Sequence, residues 1–119
     1  MRATHLRRGT TLLLATIVFA LAGAQHSLAK RSLSAKQLVR SFACIHRYEG
    51  AWNDRGAPYW GGLQMDMNFQ RSYGREFLRA FGTADHWPPG IQIAVAIKAY
   101  LSGRGFSPWP NTSRRCGLR

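Results

Sequence analysis

The chain has 119 residues, which sets one domain as the upper limit. Seventeen Lys and Arg against five Asp and Glu give a formal net charge of +12, so the partner is expected to be anionic: nucleic acid, acidic lipid, or an acidic polymer such as a bacterial wall. Two cysteines and four scattered histidines offer no metal-ligand spacing, so neither a metal nor a cofactor is expected.

The N-terminus narrows the choice of partner. MRATHLRRGT is basic and lacks any acid, and TLLLATIVFALAGA (11–24) is an uncharged run of 14 residues. Ala22-Gly23-Ala24 and Ser27-Leu28-Ala29 are both small-x-small cleavage sites. This pattern predicts a secretory signal peptide over residues 1–29, cut after Ala24 or Ala29. The run is short of the roughly 20 residues that a membrane span needs. Without the three arginines of this leader, 14 basic residues against five acidic ones still leave +9. Export argues against nucleic acid and favours a secreted or wall-associated protein. It also places Cys44 and Cys116 in an oxidising compartment, where two cysteines are best read as one disulfide. Closing a loop of about 73 residues contributes on the order of 4 kcal/mol in the chain-entropy model, which matters to a core this small.

The first helix starts at Ser34, where Ser34-x-x-Gln37 has the spacing of a capping box. Leu38, Phe42 and Ile45, with Val39 alongside, form its apolar stripe. Glu49 follows Leu38 by 11 residues, which at 100° per residue returns it to the same face within about 20°. Gly50 is the expected stop. A carboxylate there is disfavoured as a charge by burial and by the negative end of the helix dipole. Both effects favour the neutral acid, the form in which a general acid works. The plainer reading is a surface Glu on a fraying last turn.

Residues 51–66 form the loop-and-strand part. Asn53-Asp54-Arg55-Gly56 and Ala57-Pro58 carry turn chemistry. Tyr59-Trp60 and Leu63-x-Met65 are expected as short strands around Gly61-Gly62. Paired glycines weaken a strand unless something approaches its backbone; a ligand would do so, and a plain hairpin turn explains them equally well. Asp66 is placed to cap a second helix, which Gly74 interrupts and which resumes from Arg75 to Phe81 before Gly82. Thr83 to Gly90 is expected as a loop, with His86 and Trp87 a packed corner. Ile91 to Ser102 is expected as the central buried helix, because only Gln92 and Lys98 are strongly polar in it. The tail GRGFSPWPNTSRRCGLR lacks periodicity and is expected as a rigid arm, tied to helix one by Cys116.

Glycoside cleavage needs an acid to protonate the leaving oxygen and a second group to stabilise or attack the sugar cation. Glu49 is the candidate acid. Asp54 and Asp66 are the candidate second carboxylates, although a turn accounts for the first and a helix cap for the second. A single-carboxylate route is therefore favoured. Glu49 protonates the glycosidic oxygen, then takes the proton of the C6 hydroxyl of the same muramic acid, leaving a 1,6-anhydro sugar. This is lytic transglycosylation; activation of water instead would make the enzyme a muramidase. Trp52, Tyr59, Trp60 and Trp109 are candidate sugar platforms, of which two are expected to touch substrate, since aromatics in a small domain are usually core. Gln64 is expected to bind an N-acetyl group or to position Glu49.

Glu49, a Trp soon after it, Tyr59-Trp60-Gly61-Gly62-Leu63-Gln64, Gln92-Ile93-Ala94-Val95-Ala96, and the closing Trp109-Pro110 and Cys116 together resemble the resuscitation-promoting factor domain of the lysozyme and soluble-lytic-transglycosylase superfamily. The resemblance spans about residues 38–118. It implies cleavage of bacterial peptidoglycan with Glu49 as catalytic acid, a sugar cleft lined by Gln64 and nearby aromatics, and pairing of Cys44 with Cys116. The chain departs from the family between Glu49 and the Gly-Gly pair. The family has Cys directly before the Glu and Ser-Gly-Gly after it, whereas here Cys44 precedes Glu49 by five residues and Gly50-Ala51-Trp52 follows.

The fold expected is α+β and mostly helical: a small lysozyme-like domain over residues 34–118 with a short β-hairpin and one disulfide. The function expected is that of a secreted, monomeric cell-wall lytic enzyme cleaving the MurNAc–GlcNAc bond of peptidoglycan, with affinity for anionic wall polymers. The rivals are a non-catalytic peptidoglycan-binding module and a cationic antimicrobial protein acting on membranes.

Overall fold

The described residues form helices α1 (Ala35–Glu49), α2 (Met67–Tyr73), α3 (Arg75–Phe81), α4 (Pro89–Ala99) and α5 (Pro110–Arg115) and a two-stranded antiparallel hairpin, β1 (Tyr59–Trp60) and β2 (Met65–Asp66). The fold is α+β, mostly helical. This is a computed structural model, and it describes residues 32–118. The leader expected over residues 1–29 lies outside them.

The capping box forms as its spacing predicts: Ser34 Oγ accepts from the Gln37 amide at 3.2 Å, and the Ser34 amide donates to Gln37 Oε1 at 2.8 Å. From that start α1 buries Leu38, Ser41, Phe42 and Ile45. Val39 does not join the stripe. It lies about 100° round the helix from Leu38 and is 45 % exposed, while Ser41 takes a buried place with its hydroxyl donating to the Gln37 carbonyl.

The hairpin pairs Tyr59 with Asp66 and Trp60 with Met65. Of the two readings of Gly61-Gly62 the hairpin turn is the one that forms, and it takes in Leu63 and Gln64, which were expected in a strand with Met65. Gly61 (φ 76°) and Gln64 (φ 50°) are both in the left-handed region, which an extended strand cannot contain, and the Gln64 amide donates to the Gly61 carbonyl at 3.1 Å. Asp66 then caps α2 through Oδ1, which accepts from the Phe69 amide at 2.7 Å. Gly74 separates α2 from α3, as expected.

Helix α4 starts two residues earlier than expected because Pro89 takes the first helical position, where its missing N–H is not needed. After Ala99 it widens into a π turn over Tyr100–Arg104, ended by Gly103 at φ 102° and Gly105 at φ 55°. Gln92, one of its two strongly polar residues, is fully buried. Lys98 and Ala94 are exposed, so the helix is central without being buried all round. Trp87 is the packed corner expected, its indole N–H donating to the Gly82 carbonyl, while His86 is exposed.

The tail is not an irregular arm. After Trp109 it forms α5, which begins on Pro110 and ends on Arg114 and Arg115, cations suited to the negative end of a helix. The Cys44–Cys116 disulfide joins the end of α5 to α1. Leu38, Phe42, Ile45, Leu63, Met65, Trp87, Val95 and Trp109 belong to one core between α1, the hairpin and α4.

Candidate functional site

Glu49 is the last residue of α1, and its side chain is half-buried. Its Oε1 accepts a 2.7 Å hydrogen bond from the hydroxyl of Thr112, a buried residue of α5. Among the described residues nothing donates to Oε2. The disulfide supplies the geometry. Cys44 lies five residues before Glu49 and Cys116 lies four after Thr112, so the bond that ties the helices also brings these two side chains together.

Beyond Glu49 the chain turns at Gly50 and loops back through Trp52 and Asp54. Asp54 is a two-sided acceptor: Oδ1 takes the Gly56 amide and Oδ2 takes the Gln64 side-chain amide, each at 2.9 Å. The same Gln64 nitrogen donates to the Gly61 carbonyl. A β-carbon added at Gly50 would stand 3.0 Å from both Asp54 Oδ2 and Gln64 Nε2. The residue after Glu49 is thus laid against the Asp54–Gln64 pair.

Gln64 also lines a cleft of about 380 Å³ beside the hairpin, together with Tyr59, Asp66, Phe69, Arg104 and Trp109 among others. The cleft lining takes in two of the four candidate platforms. Tyr59 is exposed on β1; Trp109 is buried, its indole N–H donating to the Leu63 carbonyl at 2.8 Å and its ring set edge-on against Phe42 and Phe69. Trp52 and Trp60 are not in the lining. Trp52 stacks on His46 with ring centroids 3.7 Å apart, and Trp60 packs against the core. Glu49 and Asp54 are not lining residues either; Asp54 bonds the Gln64 side chain, and the Glu49 carboxylate bonds Thr112. Asp66 reaches the cleft but keeps one oxygen on its helix cap.

The close approach to Gly61-Gly62 comes from the protein itself. Gln92 Oε1 accepts from the Gly62 amide at 2.8 Å, and its Nε2 donates to the Trp52 and Trp87 carbonyls, each at 2.9 Å. A β-carbon at Gly61 would collide with Gln92 Oε1, and one at Gly62 would collide with the Trp52 ring and stand 2.6 Å from His46 Nδ1. His46 Nδ1 is itself 3.0 Å from the Gly62 carbonyl. Gln92, His46 and Trp52 therefore set the position of the turn that presents Gln64.

Three residues that carried no site role in the sequence reading matter here. Thr112 holds Glu49, Gln92 holds the turn, and Arg104 is the cation of the cleft. The start of α5 was signalled by Pro110 and its end by Arg114-Arg115, but six residues are too few to show periodicity. Beside Phe69 and Arg104 the Tyr73 hydroxyl is held below its usual 10.0. The hydrogen bond with Ser102 lowers it most, burial opposes this, and the hydrogen bond and charge of Arg104 lower it further. Among the described residues no three His, Cys, Asp or Glu side chains gather as a metal site. Neither a family model nor a curated protein matches the chain.

Proposed function

We propose that the chain cleaves the glycan strands of bacterial peptidoglycan, with Glu49 moving the proton. The observation that carries this reading is the seating of Glu49. It is a half-buried carboxylate at the end of a helix, with one oxygen fixed by Thr112 and the next residue set against the Asp54–Gln64 pair, of which Gln64 lines a cleft of aromatic and polar side chains.

In this reading Glu49 starts protonated and donates to the glycosidic oxygen as the C1–O bond breaks. The oxocarbenium-like sugar is then captured by its own C6 hydroxyl, whose proton returns to the Glu49 carboxylate. The product is a 1,6-anhydro end, and no second carboxylate is consumed. Thr112 keeps the carboxyl group in one rotamer through both transfers. Asp54 is already committed to Gln64 and Gly56, so its part is to hold Gln64 rather than to attack the sugar. The resemblance to the resuscitation-promoting factor domain supports the same substrate, as does the positive charge of the chain beside phosphate-rich and carboxylate-rich wall polymers.

The test is incubation with purified peptidoglycan and mass spectrometry of the released muropeptides. The wild-type chain is expected to release anhydro-ended fragments, and Glu49→Gln to release at least about a hundredfold less, the usual scale of a lost proton-transfer group. Reducing ends would make the enzyme a hydrolase. Equal release by Glu49→Gln would remove Glu49 from the chemistry. No release by the wild type at any pH would end the enzymatic reading, and membrane leakage without sugar release would then point to an antimicrobial protein.

A further inference from the structure

The cleft lining contains one cation, Arg104. Its placement is built by an unusual piece of backbone. Arg104 ends the π turn and sits between Gly103 (φ 102°, ψ −5°) and Gly105 (φ 55°, ψ −136°). Both conformations are costly for residues with a side chain. Neither glycine is there to make room, because a β-carbon at either would meet nothing within 4 Å. What the two glycines accomplish is a change of chain direction that turns Arg104 toward the cleft. The guanidinium carbon then lies 5.9 Å from the centre of the Phe69 ring and 6.0 Å from that of Tyr73, at the distance of cation–π contacts.

Arg104 has no carboxylate partner among the described residues. The two ion pairs there are His86 with Asp85 and Lys98 with Glu76. The one acid in the cleft lining, Asp66, has an oxygen committed to the Phe69 amide. An exposed guanidinium, held over two rings at a cleft of amides and aromatics, keeps most of its planar fork of donors for a ligand beside its hydrogen bond with the Tyr73 hydroxyl. That fork matches a carboxylate through two parallel hydrogen bonds.

We propose that Arg104 binds a carboxylate of the glycan in this cleft, and so selects strands that carry muramic acid over neutral N-acetylglucosamine polymers. The inference rests on the reading of the chain as a peptidoglycan-cleaving enzyme. Two carboxylates have the required chemistry: the lactyl group of muramic acid stripped of its peptide, and the acidic groups of an attached peptide stem.

The experiment is calorimetric binding to the Glu49→Gln chain, which leaves ligands uncleaved. The probes are chitotetraose, a bare GlcNAc–MurNAc tetrasaccharide, and the same tetrasaccharide bearing peptides. At least one of the two muramyl ligands is expected to bind about tenfold tighter than chitotetraose, the factor carried by 1.4 kcal/mol. Whichever is tighter identifies the carboxylate as lactyl or peptidyl. The preference is expected to shrink with added salt, since the arginine is exposed. Adding Arg104→Gln is expected to erase it, bringing the muramyl ligands to the affinity that the same variant has for chitotetraose, and Arg104→Lys to restore only part of it. A preference that survives Arg104→Gln, or equal binding of all three probes, overturns the inference while leaving the proposed cleavage standing. Failure of every probe to bind, together with no muropeptide release by the wild type, overturns both.

Discussion

Two pairs of glycines flank the cleft, and they use the same chemistry for opposite ends. Gly61 and Gly62 are buried, and every missing side-chain atom is replaced by something else: Gln92 at the first, the Trp52 and His46 rings at the second. Gly103 and Gly105 stand in open space, with nothing within 4 Å of where a β-carbon would be. At the hairpin, glycine permits closeness. At the end of α4 it permits direction, because left-handed backbone is the only thing these residues contribute. One pair belongs to the core and sets the position of Gln64. The other belongs to the surface and sets the position of Arg104. Changes at the first are therefore expected to appear in stability, and changes at the second in recognition.

The largest effect is expected from removing what fills the hairpin. Gln92→Leu keeps the side-chain volume but strands the Gly62 amide and the Trp52 and Trp87 carbonyls. At about 1–3 kcal/mol for each buried group left without a partner, the loss of unfolding free energy is expected to be about 4 kcal/mol, read from the urea midpoint. A loss below about 1 kcal/mol would mean that water replaces the amide and that Gln92 does not hold the turn. Gly62→Ala tests the same wall from the other side. The added methyl must displace the stacked Trp52 and His46 rings, at a cost of about 2 kcal/mol, with a change in the near-ultraviolet dichroism of the tryptophans. An unchanged spectrum at unchanged stability would show that the rings are not packed on this glycine.

The contrast also explains what could be read from the sequence. Features carried by near neighbours were legible. The Ser34-Gln37 box, the Leu38-Phe42-Ile45 stripe, the Asp66 cap and the Gly74 break each need only a few adjacent residues, and all stand where their spacing puts them. The disulfide was legible because the chain has only two cysteines. Features carried by distant partners were not. Gln92 was visible as a polar residue in an otherwise apolar helix, but it bonds to chain 30 and 40 residues away, and polarity patterns do not count partners. Thr112 lies 63 residues from Glu49 in a helix too short to show a period. The Gly-Gly-Leu-Gln segment reads from its composition as strand or hairpin turn alike, and the left-handed torsions at Gly61 and Gln64 decide for the turn. Of the candidate site the Glu49 carboxylate was visible, whereas the hydroxyl that bonds it and the cation of the cleft were not.

The smallest effect on stability, and the sharpest division between the two glycine pairs, is expected at Gly103. Gly103→Ala adds a methyl group that meets nothing, so no ring or amide must move. Its cost is the strain of an alanine at φ 102°, about 1 kcal/mol or a little more, with the core spectra unchanged. If the backbone relaxes to relieve that strain, the residue that moves with it is Arg104, which follows directly. The variant is then expected to lose the preference for carboxylate-bearing glycans as Arg104→Gln does, although the arginine is still present and still charged. Binding calorimetry beside urea unfolding separates the outcomes. Lost preference with about 1 kcal/mol of destabilisation assigns Gly103 to the aiming of Arg104. The same destabilisation with the preference intact means that the guanidinium finds its ligand from either backbone, and that the left-handed turn serves only to end α4. A destabilisation as large as that of Gly62→Ala would erase the distinction itself, because both pairs would then be structural.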